Sequence, residues 1–188
     1  MKTPHGRGQP PDEKIRRQWQ DPEAILADIG LEAGLTFMDI GCGEGFFALP
    51  AARRVGETGT VYGVDTNGEA ISRLKEKAAA EGFRNLKLVT AEAEATVFCR
   101  GCADIVFFGI DLHDFREPGQ VLANARRMLK PGGKLVDLDW KKEEMTWGPP
   151  LAKRFSQARA VSLIEAAGFR IEAVSEVKPY HYLITARP

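Results

Sequence analysis

From Leu35 almost to its end, the chain alternates short apolar runs with amphipathic stretches of helical spacing. Leu35–Ile40, Thr60–Val64, Leu86–Val89, Ile105–Phe108 and Lys134–Asp139 read as buried strands. Phe46–Val55, Glu69–Ala80, Val121–Leu129 and Phe155–Ala167 read as helices. Strands joined through helices lie parallel, with helices on both faces of the sheet. The last two strands, Phe169–Val177 and Tyr180–Ala186, break that rule. Lys178 and Pro179 alone separate them, too few residues for a parallel crossover, so they pair antiparallel or lie unpaired. The predicted fold class is α/β: a three-layer, seven-stranded, mostly parallel sheet whose last strand is antiparallel, with helices on both faces.

A further helix opens at Asp21-Pro22-Glu23, which supplies an N-cap, a proline at the first helical position and an acid in the first turn; Gly30 closes it. Met1–Pro11 carries Pro4, Gly6, Gly8, Pro10 and Pro11, which predicts a flexible tail over residues 1–13 ahead of one domain over 14–188. The 188 residues suit a single domain. Lys and Arg number 26 and Asp and Glu 26, which excludes the whole-chain positive field of a dedicated nucleic-acid binder. No apolar run approaches a membrane span, and no signal peptide is visible. With cysteine limited to Cys42, Cys99 and Cys102, these features predict a cytoplasmic setting. Cys99-Arg100-Gly101-Cys102 lacks the further ligands a structural zinc needs, so no metal is expected and both cysteines read as ordinary thiols.

In such a sheet, ligands bind outside the carboxyl ends of the strands. That gathers Gly41–Gly45, Asp65, Ala91–Ala93 and Gly109–Asp114 at one opening. Asp39-Ile40-Gly41-Cys42-Gly43-Glu44-Gly45 joins the first strand to its helix. Its glycines permit a tight turn and a close backbone approach to a ligand. Asp65 ends the second strand 20 residues after Gly45, where a carboxylate can accept from both hydroxyls of a ribose. Dinucleotide binders space their glycines G-x-G-x-x-G. Here the spacing is G-x-G-x-G, Phe46 takes the place of the third glycine, and Glu44 adds negative charge beside any pyrophosphate. Both features favour an adenosine ligand without phosphates.

These residues resemble the class I, Rossmann-like S-adenosylmethionine-dependent methyltransferases over about Asp21 to Ala186. Phe37–Gly45 is similar to the family's first motif, Val61–Asp65 to its second strand, Ala103–Phe108 to its fourth, and Leu129–Leu135 to the turn before its fifth. The resemblance implies S-adenosylmethionine as cofactor. The backbone of Gly41, Cys42, Gly43 and Gly45 would pass beneath its methionine and ribose parts. Asp39 would orient that loop and the ammonium, and Asp65, with Thr66 beside it, would hold the ribose. Glu92 stands where the family usually has an adenine-binding Asp, and the Ala93 N–H would reach the ring. Phe108 or Gly109 would turn a carbonyl to the ammonium.

Methyl transfer from a sulfonium is an in-line displacement in which the protein mainly aligns the nucleophile and excludes water. Any base belongs after the fourth strand, where Gly109–Phe115 resembles the family's variable fourth motif; Asp111 and His113 are the candidates, with Asp114 beside them. The plainer role for His113 is to cap a loop or the next helix. Trp140, Lys141–Glu144, Trp147 and Gly148-Pro149-Pro150 are expected on the substrate side, and Ile15–Trp19 over the cofactor. The Asn/Asp-Pro-Pro-aromatic signature of exocyclic-amine methylation and a Pro-Cys nucleophile are both absent, so nucleic acid is not the expected partner. An RNA reading would need the basic runs Lys14, Arg16, Arg17 and Arg126, Arg127, Lys130. The expectation is a methyltransferase for a small molecule, quinone-like or corrin-like, with an open crevice or one completed in a homo-oligomer. The rivals are RNA or protein methylation and a non-catalytic S-adenosylmethionine-binding module.

Overall fold

A computed structural model describes residues 13–145 and 147–188, so of the tail expected over residues 1–13 all but Glu13 lies outside the described residues. Its strands are β1 (Thr36–Ile40), β2 (Thr60–Asp65), β3 (Leu86–Thr90), β4 (Ala103–Gly109), β5 (Leu129–Trp140), β6 (Arg170–Val177) and β7 (His181–Arg187). The helices are α1 (Glu13–Arg16), α2 (Pro22–Asp28), α3 (Ala48–Val55), α4 (Gly68–Ala80), α5 (Pro118–Met128) and α6 (Gln157–Ala166). The strands form one sheet in the order β3-β2-β1-β4-β5-β7-β6. β1 to β5 pair in parallel, and β7 runs antiparallel to both β5 and β6.

Each central strand splits its side chains between two cores, because successive Cβ atoms point to opposite faces. Phe37, Ile105, Phe107 and Val136 pack under α2, α3 and α4. Met38, Val106, Phe108 and Leu135 pack under α5 and α6. Burial on both faces makes these strands read as unbroken apolar runs. Asp21 caps α2 by accepting from Ala24 N at 3.2 Å, and Ser156 caps α6 by accepting from Arg159 N. The cap moves the start of α6 past Phe155, which is buried in the core. α3 starts at Ala48 rather than Phe46; Phe47 sits edge-on to Phe107 at 4.7 Å.

Two expectations are corrected. Lys130–Gly133 is not a turn ahead of the fifth strand, because β5 runs through it. Ala103 pairs with Leu129 and Ile105 with Lys134, so the extra residues become a register shift inside the ladder. A Cβ at Gly133 would stand 2.7 Å from the Ala103 carbonyl, so glycine permits the close approach. Cys99 and Cys102 are not ordinary thiols: their sulfurs form a disulfide. Gly101 N and Cys102 N donate to Arg127 O and Met128 O, which docks this loop on the end of α5.

Members of both basic runs are also paired within the chain. Lys130 Nζ lies 2.8 Å from both oxygens of Asp104, which also accepts from Thr36 N, pinning the starts of β1, β4 and β5. Arg17 pairs with Glu13 and Glu23. Among the described residues, no helix is long and apolar enough to cross a membrane.

Candidate active site

The carboxyl ends of β1, β2 and β4 open into a cleft with two lobes, of about 910 Å³ and 340 Å³. Gly41, Asp65, Asp111 and Asp114 line both. The larger lobe also meets Asp39, Cys42, Gly43, Gly45, Gly109 and His113, and the smaller meets Thr66, Glu92 and Ala93. Residues predicted from separate motifs therefore converge on one opening. Phe108 does not line it; its ring is buried beside Phe115, and Gly109 takes its place at the rim.

Three carboxylates surround the glycine turn. Asp39, at the end of β1, is 2% exposed. The Ala48 N–H at the start of α3 bonds it, so the helix N-terminus is already engaged. Its Oδ2 has no partner among the described residues. Burial pushes its pKa up to about 7, against the pull of Arg16 and with a push from Asp65. Asp65 accepts from Gly43 N and Asn67 N, both at 2.8 Å, so it braces the turn and the approach to α4. Asp111 lies against Gly41, where a Cβ would come within 2.5 Å of its Oδ2; with a φ of +84°, Gly41 is doubly reserved for glycine. Burial and the nearby Asp39, Asp139 and Asp65 raise the Asp111 pKa well above the usual carboxylate range. Ile110 sets this geometry: its φ of 76° turns the chain while its N–H donates to Leu138 O at 2.7 Å. That conformation is rare for a β-branched residue and stores roughly 1–3 kcal/mol.

Glu44 lines the larger lobe and pairs with Arg73 and Lys77 on α4, at 2.9 and 3.0 Å, which offsets part of its charge there. The ionised forms of Asp39 and Asp111 add to the charge that disfavours a pyrophosphate.

Arg16 reaches into the larger lobe as its partial counter-charge. Its guanidinium stacks 3.7 Å from the Phe46 ring centroid, its Nε donates to Gln20, and Asp111 and Asp39 act on its charge. Burial lowers its pKa to about 10, so it stays cationic at neutral pH. This places the Ile15–Trp19 segment beside the cleft, as expected.

His113 is not a helix cap. Glu117 occupies the N-cap of α5, and the His113 Nδ1 lies 2.7 Å from Asp139 Oδ1 on β5. Asp139 also accepts from Trp140 N at 2.7 Å and His113 N at 3.3 Å. Burial pulls the His113 pKa down, but the Asp139 hydrogen bond and charge outweigh it, and the net shift is upward.

The rest of the larger lobe mixes apolar and aromatic residues with charged ones such as Arg17, Arg53, Lys77 and Lys153. Trp19, Trp140, Phe46, Ile110, Pro149 and Pro150 line it. Trp19, Trp140 and His181 form a triangular ring cluster, with centroids 5.6 Å apart for the two tryptophans and 5.3 and 4.3 Å from each to His181. His181 is fully buried with neither nitrogen partnered, and burial, aided by Arg16, Lys141 and Arg154, lowers its pKa to about 3. Arg154 folds the segment after β5 over the cleft, donating to the carbonyls of Pro149, Glu143 and Trp147 at 2.8, 2.8 and 3.0 Å.

Sequence reasoning missed Arg16 as a site residue, Arg154 and His181 as supports behind the site's walls, and Asp139 as the partner of His113. One signal for Asp139 was present: Asp137-Leu138-Asp139 puts two acids in a strand buried on both faces.

A family model described as a methyltransferase domain matches residues 31–168. The chain belongs to this family. The sequence resemblance and the expected fold are thereby borne out. A demethylmenaquinone methyltransferase of Shouchella clausii is 33% identical over 114 residues, covering 61% of this chain and 48% of that protein. The ubiquinone/menaquinone biosynthesis C-methyltransferase UbiE of a Marinomonas species is 32% identical over 131 residues, covering 69% of this chain and 51% of its own length. The chain thus spans about half the length of these curated relatives. The crystal structure of a SAM-dependent methyltransferase from Aquifex aeolicus superposes with a TM-score of 0.86 at 31% identity, covering 93% of this chain and 97% of that one.

Proposed function

We propose that this protein transfers a methyl group from S-adenosylmethionine to a small, quinone-like aromatic acceptor. The observation that carries the reading is the convergence of Asp39, Asp65 and Asp111 on one glycine turn. S-adenosylmethionine is a cation with an ammonium and a sulfonium, and it carries no phosphate. Two buried carboxyl oxygens without partners among the described residues, Asp39 Oδ2 and Asp111 Oδ2, suit that charge, because a bound cation favours their ionised forms, which would repel a pyrophosphate. The residues present therefore fit the group.

In this reading the backbone of Gly41–Gly45 underlies the methionine and ribose parts. Asp65 exchanges part of its bonding to the turn for the ribose hydroxyls. Thr66, Glu92 and Ala93 in the smaller lobe take the adenine, and the Gly109 carbonyl and Asp39 take the ammonium. The cofactor, when bound, supplies an activated electrophilic methyl group. Asp111 and His113 face the acceptor, whose flat ring lies among Trp19, Phe46 and Trp140. The aromatic walls and the relatives named for quinone methylation favour a quinone-like over a corrin-like acceptor. The internal pairing of Arg17 and Lys130 weighs against RNA.

The test is transfer of isotope-labelled methyl from S-adenosylmethionine to naphthoquinol, a hydroxylated corrinoid, RNA and protein extract. Label in naphthoquinol alone is the expected result. Label in RNA or protein alone would overturn the acceptor assignment, and binding of S-adenosylhomocysteine without transfer to anything would leave a binding module.

A further inference from the structure

β3 joins β4 through a strap whose one regular turn is Ala93–Ala95. Its first residues, Glu92, Ala93 and Glu94, line the smaller lobe. From there the strap is fastened along α5. Glu94 Oε1 accepts from Arg116 N and Glu117 N at the start of that helix, at 3.1 and 3.2 Å. Asn124, buried midway along it, donates to Ala93 O and Glu94 O at 3.2 and 2.7 Å. Gly101 N and Cys102 N donate to Arg127 O and Met128 O at its end, at 3.0 and 2.9 Å. The Cys99–Cys102 disulfide closes the strap at this last fastening. Val97, Phe98 and the two cysteines pack on the core that also holds Ala93, Val121, Ala125 and Met128. One helix therefore holds both the disulfide and the wall of the smaller lobe.

The bond encloses only Arg100 and Gly101, both exposed, and its cysteines are half-buried. A disulfide constrains the unfolded chain more as its loop lengthens, so this one contributes little to the whole fold and acts on the strap itself. A sulfur within reach of solvent is open to attack by a thiolate, unlike one sealed in a core.

We propose that Cys99–Cys102 is a reversible redox site that exchanges with a dithiol, and that its state sets how tightly the smaller lobe holds the adenine of the cofactor. The inference rests on the function proposed above, which puts the adenine in that lobe. Reduction transfers two electrons and two protons from the dithiol. A reductant thiolate bonds to one cysteine sulfur as the Cys99–Cys102 bond breaks. The reductant's second thiolate then displaces that sulfur and closes a disulfide of its own, leaving two cysteine thiols. A disulfide of the same class reverses the exchange. Freed of the bond, Gly101 and Cys102 leave the end of α5 more often, and the looser strap carries Ala93 and Glu92 away from the adenine. Coupling between two sites is reciprocal, so a bound cofactor resists reduction by the same factor.

The test compares the oxidised chain, the chain reduced with dithiothreitol, and Cys99→Ser/Cys102→Ser, which cannot close the bond. Iodoacetamide labelling with peptide mapping should leave Cys99 and Cys102 unmodified in the oxidised chain and modify both after reduction. Calorimetry should find S-adenosylhomocysteine bound about fivefold or more weakly by the reduced chain and by the variant. Dithiothreitol should leave the variant's affinity unchanged. Saturating S-adenosylhomocysteine should raise the ratio of reduced to oxidised dithiothreitol needed for half-reduction by the same factor. Equal affinity in the oxidised and reduced chains, or thiols that oxidised dithiothreitol cannot close, would overturn the proposal. Loss of helical circular dichroism on reduction would overturn it too, because the bond would then be a staple of the fold. An oxidised chain that does not bind S-adenosylhomocysteine would instead refute the underlying reading. Hydrogen exchange then decides the redox site: reduction should speed exchange at Ala95, Thr96, Gly101 and Cys102 and leave β1 and β4 unchanged. Unaltered exchange at all four would overturn it.

Discussion

Asp39→Asn separates two consequences of the buried carboxylate. Burial raises its pKa from 3.8 to about 7. A carboxyl with a raised folded-state pKa favours the native state fully only below its unfolded value, and that contribution is lost as pH rises toward the folded value. The full loss is roughly 4 kcal/mol, from ~3 pH units at about 1.4 kcal/mol each. About 1.5 kcal/mol of it has gone by pH 5, so roughly 2.5 kcal/mol is lost between pH 5 and 8. Asparagine keeps the shape and the bond from Ala48 but cannot ionise. Urea unfolding of both proteins at pH 5, 6.5 and 8 should therefore show the variant gaining about 2.5 kcal/mol on the wild type across the series, a gap of roughly 5–10 °C in Tm. Groups remote from Asp39 cancel in the difference, while Asp111, which the Asp39 charge raises, moves downward in the variant and widens the same gap. The same variant should bind S-adenosylmethionine at least about tenfold more weakly, since one buried negative charge is gone. A stability gap that stays constant with pH would refute the burial argument, and unchanged affinity would refute the role of Asp39 toward a cation.

Other perturbations act on single contacts. Gly41→Ala puts a methyl group 2.5 Å from Asp111 Oδ2 at a φ of +84°, and calorimetry should register a loss of S-adenosylhomocysteine binding of tenfold or more. His181→Phe keeps the ring cluster with Trp19 and Trp140 while removing two buried nitrogens that have no partner among the described residues, so denaturant unfolding should show a gain of about 1–3 kcal/mol. Arg154→Met strands the carbonyls of Glu143, Trp147 and Pro149; limited proteolysis across 141–150 should accelerate and the KM for naphthoquinol rise, with S-adenosylhomocysteine affinity unchanged.

The elements most legible in the sequence are those whose signal is local. The strand-and-helix alternation follows from periodicity, and the two-residue link at Lys178-Pro179 implies the reversed last strand, which the structure inserts between β5 and β6. The glycine turn, Asp65 and Asp111 were legible because topology alone brings the carboxyl ends of parallel strands together. What stayed hidden depends on pairing across the sheet. His113 meets Asp139, 26 residues away, because β4 and β5 are neighbours and the loop after β4 folds back over β5. Arg16 and His181 meet beside Trp19 and Trp140 from opposite ends of the chain. Glu44 was legible only in part, because its partners Arg73 and Lys77 lie 29 and 33 residues further on, on α4. Cys99 and Cys102 paired because the end of α5 holds their loop folded, which spacing alone could not reveal.

Calorimetric titration with S-adenosylmethionine, S-adenosylhomocysteine and NAD asks whether this cleft selects a phosphate-free adenosine cation. Saturable binding of the two sulfur compounds is expected, tighter for S-adenosylmethionine at pH 8 than at pH 6 as Asp39 ionises, with no binding of NAD. Binding of NAD in preference, or no binding of either sulfur compound at millimolar concentration, would contradict it.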